Sequence, residues 1–340
     1  MIELRSDTFT LPTKKMLDAM VSASLGDDVY AEDPTVNRLE KLAANRLGKA
    51  AACLMPSGTM GNLAALMVHA PRGAKAIVGA ESDIHLYEAA GATVCGGIAY
   101  EPVPNAPDGT LPLEAIEAAF PEDEDDPQFA RPAVICLENT QNRCGGVVLP
   151  TGYDAEVAAL ARARGVPVHL DGARLFNAAI ASRVPAAVLA AHADSVQFCL
   201  SKGLAAPVGS VVVGDDAFIR RVRRVRKMLG GGMRQAGVLA AAGIVALHEM
   251  VERLSGDHER AGLLADGLAT LPGVQVTPPQ TNIVLFTVAG RDAADVVAAA
   301  ASVGVAVNTF GHGRVRAVTH AGVDADDVER AVQRLRTVLR

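Results

Sequence analysis

The chain has 340 residues, 50% hydrophobic and 21% charged, with a net charge of −6 and a pI near 5.8. A chain of that size and balance can bury a large core and is globular rather than disordered. Four tyrosines, no tryptophan and a mildly acidic balance give no nucleic-acid footprint, and no apolar run reaches the roughly 18 residues needed to span a bilayer.

The opening residues, Met1 to Asp7, lack the basic and apolar pattern of a signal peptide. A helix is predicted over 33–48: Asp33 can cap it, Pro34 suits its first turn, and Gly48 stops it. A strand at 51–55 leads through Pro56-Ser57-Gly58-Thr59-Met60-Gly61-Asn62 into an apolar helix at 63–70. Strand-like runs follow at 76–78, 93–95, 133–137, 166–170, 195–200 and 209–213, with helical stretches such as 154–164 between most of them. This alternation predicts an α/β fold with a mostly parallel sheet covered on both faces. The acidic loop 121–127 reads as solvated surface. The basic run 220–227 admits three readings: a solvated helix face, an anion site or a nucleic-acid patch. After a long alanine-rich helix at 235–254 the pattern changes, with strands at 282–288, 305–308 and 315–318 and helices at 291–303 and 324–339. The chain therefore divides into a large domain, 1–250, and a smaller C-terminal α/β domain, 251–340. The five cysteines (Cys53, Cys95, Cys136, Cys144 and Cys199) are odd in number and no pair has metal-ligand spacing. No metal site is expected, and the chain reads as reduced and cytoplasmic.

Two charged residues stand at the ends of apolar strands. Lys202 follows the run 195–200 inside Ser201-Lys202-Gly203-Leu204, and Asp171 ends the run 166–170. Ligands of α/β sheets bind at the carboxyl ends of strands. An amine held there, partly desolvated, is expected to have a lowered pKa and to act as a Schiff-base nucleophile. Paired with a carboxylate it suits pyridoxal phosphate, whose ring nitrogen the carboxylate keeps protonated; a structural ion pair would have the same spacing. Ser57, Gly58 and Thr59 link a strand to a helix, where free N–H groups, two hydroxyls and the helix dipole favour a phosphate. Arg174, just beyond Asp171, and Arg316, in the second lobe, could grip a substrate carboxylate between them.

The combination resembles the L-threonine aldolases of the pyridoxal-phosphate-dependent β-eliminating lyases. The matching segments run in order from Leu4-Arg5-Ser6-Asp7-Thr8 and Gly26-Asp27-Asp28-Val29-Tyr30, through Pro56-Ser57-Gly58-Thr59, Leu137-Glu138-Asn139-Thr140 and Asp171-Gly172-Ala173-Arg174, to Ser201-Lys202-Gly203, Gly230-Gly231-Gly232-Met233-Arg234-Gln235 and Val318-Thr319-His320. The resemblance implies the pyridoxal-phosphate-dependent transferase fold, known as fold type I. It implies Lys202 as the Schiff-base lysine and Asp171 as partner of the ring nitrogen. Gly58 and Thr59, with Ser57, become the phosphate loop, and Ser6, Arg174 and Arg316 the substrate-carboxylate contacts. Lys227 and Arg234 become phosphate-side contacts from a neighbouring subunit, Tyr30 a residue lent across the same interface, and the assembly a homotetramer of dimers. Two departures stand out. The family's ring-stacking histidine falls at Asp83 by ungapped alignment, with His85 two residues later. A second usual histidine is Gln141, which can hydrogen-bond but cannot take a proton. His85 is the expected ring-covering and catalytic imidazole, with an ordinary packing histidine as the alternative, and Gln141 is expected to orient the substrate hydroxyl. The reaction implied is cleavage of L-threonine and L-allo-threonine to glycine and acetaldehyde. The alternatives are a phenylserine-type aldolase, a β-eliminating lyase and a catalytically silent cofactor-binding scaffold.

Overall fold

A computed structural model describes residues 1–123 and 125–339; Glu124 of the acidic loop lies outside the described residues. Thirteen strands occur among them. They are β1 (Ile2–Glu3), β2 (Ala51–Met55), β3 (Lys75–Gly79), β4 (Ala99–Val103), β5 (Pro132–Glu138), β6 (Val168–Asp171), β7 (Ser195–Cys199), β8 (Ser210–Gly214), β9 (Val274–Thr277), β10 (Ile283–Val288), β11 (Val305–Ala306), β12 (Asn308–Thr309) and β13 (Val315–Val318).

Seven of them make the central sheet, in the order β2-β8-β7-β6-β5-β3-β4. The pairs from β7 to β4 are parallel, while β8 runs against both of its neighbours. Every residue of β6, β7 and β8 is buried, as expected of strands covered on both faces. In the second lobe β12-β13-β10-β9 form an antiparallel sheet. Its core draws in Ile2 and Leu4, because β1 pairs in parallel with β11. The first strand therefore packs with the second lobe.

The helix Pro34–Arg46 starts where its cap predicts: Asp33 Oδ1 accepts from the backbone N–H of Thr35 and of Val36, both at 3.0 Å. Two expectations fail. Residues 93–95 are not a strand but part of the π-helical turn Ala92–Gly96, closed by Gly97 at φ +65°. The strand beside β3 is β4, whose Pro102 hides it in the sequence and is tolerated because β4 is an edge. The long helix expected at 235–254 is broken into Gly237–Val245, a wide turn at Ala246–Met250, and a new helix Leu254–Ala269.

The basic run lies on the amphipathic helix Asp216–Met228. Three of its arginines are committed within the fold. Arg221 donates to Val68 O, Arg223 pairs with Glu40, and Arg226 pairs with buried Asp28 at 2.8 Å.

Candidate active site

Sheet register brings the site together. Glu138 on β5 lies opposite Asp171 on β6, and Asp171 opposite Gln197 on β7. Gly172 then leaves β6 by donating its N–H to Gln197 O at 2.7 Å; a Cβ there would stand 2.9 Å from that oxygen, so only glycine allows this approach. Lys202 follows β7 in a tight turn, with Ala205 N–H returning to its carbonyl.

Two cavities meet at Lys202. The first, about 310 Å³, is lined by Ser57, Gly58 and Thr59 at the start of the helix Gly58–His69, and by Asn62, Glu88 and Asp171. Ser57 Oγ caps this helix by accepting from Met60 N–H at 3.2 Å, which leaves the first N–H groups facing the cavity with the positive end of the helix dipole. The second, about 270 Å³, is lined by Ser6, Asn142, Arg174, Phe310 and Arg316. Lys202, Asp83 and Tyr87 line both.

Carboxyl groups crowd the first cavity. Burial, then Lys202 acting the other way, then Asp83 leave Asp171 above its usual value. Burial and Asp171 push Glu88 well up, and burial, Asp83 and Asp171 do the same to Glu138. So many acids close together favour a bound cation, and the protonated ring nitrogen of pyridoxal phosphate fits that demand. Lys202 is the one cationic side chain among the described residues lining this cavity.

The Lys202 amine does not have the lowered pKa expected. Burial works to lower it, but Cys199 raises it, and Asp83 and Asp7 add to that against Arg174; the net direction is upward.

In the second cavity Arg174 makes a two-pronged pair with Asp7, at 2.8 and 2.7 Å, both residues being buried. Burial works to raise the Asp7 carboxyl, but Arg174 holds it far below the carboxylate range, aided by Lys202 and Asn282. Arg316 lies over the Phe310 ring at 4.2 Å and donates to Asn142 Oδ1 at 2.9 Å and Arg5 O at 3.2 Å. Its Nε is buried without a partner. Burial and the charge of Arg174 lower Arg316 to about 10. The arginine with donor capacity to spare is thus Arg316, an anchor suited to a carboxylate.

Two expected residues are turned away. His85 is two positions beyond Asp83 on the short helix Asp83–Leu86, so the two side chains leave on opposite sides. Its ring meets Tyr100 edge-on at 5.6 Å, with Nδ1 buried and unpartnered, and it lines neither cavity. Asp83 takes the wall instead. Gln141 is fully buried and committed: Nε2 donates to Glu81 O at 2.8 Å and Oε1 accepts from Cys144 N–H at 2.6 Å. Its neighbour Asn142 reaches the cavity, donating to Asp83 Oδ1 at 3.0 Å. Tyr30, Lys227 and Arg234 are exposed and line neither cavity; Arg234 pairs with Asp27 at 3.0 Å.

Asn142, Asn62 and Glu88 were not expected as cavity-lining residues; Asp83 was named only as the residue standing where the family has its ring-stacking histidine. Asn62 could have been found, since it sits one turn after Gly58 on the face that carries the loop.

A lysine after a central strand, an aspartate on the next strand and a helix N-terminus between them define a pyridoxal-phosphate enzyme of fold type I. A threonine aldolase of Leishmania major shares the fold, with a TM-score of 0.84, 20% identity and 99% of both chains covered. The family model described as "Beta-eliminating lyase" matches residues 3–291. The chain is 46% identical to a probable low-specificity L-threonine aldolase of Arabidopsis thaliana, covering 96% of this chain and 94% of that one. It is 44% identical to a low-specificity L-threonine aldolase of Escherichia coli strain K12, covering 100% and 99%. The chain belongs to the pyridoxal-phosphate-dependent β-eliminating lyase family.

Proposed function

We propose that this chain cleaves L-threonine and L-allo-threonine to glycine and acetaldehyde. The observation that carries this reading is the meeting of the two cavities at Lys202: one acidic and ending on a helix N-terminus, the other holding Arg316 and Arg174. Bound pyridoxal phosphate supplies the sink for the electron pair of the breaking Cα–Cβ bond. Lys202 would hold that cofactor, Asp171 would pair with its ring nitrogen, and Ser57, Gly58 and Thr59 would hold its phosphate. Ser6, Arg174 and Arg316 hold the substrate carboxylate and so turn Cβ towards the wall made by Asp83 and Tyr87. As Cα–Cβ breaks, the hydroxyl proton leaves for Asp83, the carboxylate common to both cavities, and Cα later regains a proton. With His85 and Gln141 turned away, neither receives that proton.

Lys202 is the one cationic side chain among the described residues lining the cavity, and the cofactor's phosphate needs further cations. Lys227 and Arg234 of a second copy would supply them, with Tyr30 crossing the same interface, in a homotetramer of dimers. Support comes from exposed Leu11, Leu17, Val21, Tyr30 and Met228. Five free cysteines support a reducing, cytoplasmic setting in which the reaction yields glycine.

The test is direct. The chain reconstituted with pyridoxal phosphate is given L-threonine, and acetaldehyde and glycine are measured in equal amounts. Because Asp83 stands where the family usually has a histidine, phenylserine is assayed beside it for benzaldehyde and serine for pyruvate. A reconstituted chain that yields pyruvate and no aldehyde would overturn the reading.

A further inference from the structure

A chain of hydrogen bonds leaves Asp171 for the protein interior, and its direction can be worked out atom by atom. Asn62 Nδ2 donates to Asp171 Oδ2 and to Glu88 Oε1, both at 2.8 Å. Turned over, the amide would set its oxygen against these carboxyl oxygens, so the two acids fix its orientation. Both amide protons are then used, and Oδ1 must face a donor. The group there is His169 Nε2, at 3.0 Å, which therefore carries the ring proton. His169 is fully buried, and burial, then His69, lower it to about 3. Its ring is neutral, so Nδ1 accepts, and Ser195 Oγ at 2.8 Å donates to it. That uses the one serine proton. His69 Nε2, 2.7 Å from the same oxygen, must be the donor to it.

Elementary periodicity builds this chain. His169 and Asp171 are two apart on β6 and share a face, and Ser195 on β7 lies in register with His169. Asn62 and His69 are seven apart on the helix Gly58–His69, two turns along one face. The groups around the inner end are Lys202, Asp83, Glu88, Glu138 and Cys136. Those around the outer end are Asp194, Arg221, Asp215 and the Phe218 ring, stacked on His69 at 4.6 Å.

We propose that His69, Ser195, His169 and Asn62 form a one-way hydrogen-bond relay that locks the Asn62 amide as a donor to both Asp171 and Glu88 and so holds the Asp171 carboxylate in place. His169 and Ser195 are positioning residues, acting on the ring nitrogen of the cofactor through Asn62 and Asp171. Only this last effect rests on the cofactor reading; the direction of the relay does not.

The experiment has two arms. Selective ¹⁵N-histidine labelling reads the tautomers of His69 and His169, with and without cofactor, at neutral pH. Both are expected neutral with the proton on Nε2; a charged His169, or one protonated on Nδ1, overturns the relay. In the second arm His169→Gln, which keeps a donor near Asn62 Oδ1, is compared with His169→Leu in the holoenzyme. His169→Leu is expected to weaken cofactor binding about tenfold. It should also move the pH midpoint of the bound cofactor's visible absorbance by about half a unit. His169→Gln should leave both close to the parent. Equal disturbance of the two variants, or of neither, overturns the proposal. Should His169→Leu not fold, Ser195→Ala decides: a shift in the same direction of roughly threefold is expected, and none refutes it. A chain that binds no pyridoxal phosphate defeats the cofactor reading, while the tautomers still judge the relay.

Discussion

The two cavities that meet at Lys202 are opposite in charge. The cofactor side is walled by Asp83, Glu88 and Asp171, while the substrate side is held by Arg174 and Arg316. Their charges are also managed differently. Arg174 is matched by Asp7 within hydrogen-bond distance, whereas Asp171 and Glu88 share one amide, and burial followed by Asp171 pushes Glu88 well up. A region that repels itself is completed by a cation, and a region with a buried guanidinium nitrogen to spare is completed by an anion. On the proposed reading the contrast assigns the ring nitrogen to the first cavity and the substrate carboxylate to the second.

That contrast can be broken at its junction first. Lys202→Ala should abolish both the visible absorbance of bound cofactor and aldehyde release, read by spectrophotometry and a coupled aldehyde assay. Asp83→Asn keeps the hydrogen bond to Asn142 within reach but cannot take a proton; kcat for aldehyde release should fall about 10²–10⁴-fold. A smaller loss would assign the proton to another acceptor. On the substrate side, Arg316→Lys loses the planar fork, and kcat/KM for threonine should drop roughly 10–100-fold with most of the change in KM.

The acidic side has its own signature in stability. Glu88 has a raised folded pKa, so between its unfolded value of 4.5 and the folded one the native state binds more protons, and stability falls as pH rises. Asp7 has a depressed folded pKa; its contribution is complete above 3.8 and lost as pH falls below it. Glu88→Gln in the cofactor-free chain should therefore flatten the decline above pH 4.5, raising Tm by roughly 1–3 °C at neutral pH. The smallest effect belongs to His85→Phe, which keeps the ring contact with Tyr100. Threonine cleavage should stay within about twofold of the parent, well short of the loss expected for a general base, and a large loss would put the imidazole back in the reaction.

How much of this was legible follows from which forces act locally. Capping made the helix after Asp33 visible, and buried strand ends made Lys202 and Asp171 visible, because each depends on near neighbours in the chain. β4 was hidden by Pro102, whose tolerance depends on its being an edge, a property of the assembled sheet. Thr93 and Val94 have the branched side chains of a strand, but the glycines around them and the place beside β3, taken by β4, decide otherwise. His85 was misplaced for a simpler reason. A two-residue step on a helix reverses the side chain, and no sequence match says whether a backbone shift corrects it. His169 was out of reach because its partnership with Asn62 needs β6, β7 and a helix face to be packed together first.

The short pairing of β1 with β11 has a mechanical consequence. Leu4 is tied to the second lobe on both sides, by its N–H to Ala306 O at 2.9 Å and by its carbonyl to Val318 N–H at 2.8 Å. Ser6 and Arg316 therefore travel as one body whenever that lobe moves. Arg174 belongs to the other body, and Asp7 is the bolt between them, gripping Arg174 on one side and receiving Asn282 Nδ2 at 3.2 Å on the other. A carboxylate lodged between the arginines would span the same gap that Asp7 already bridges from Arg174 to Asn282.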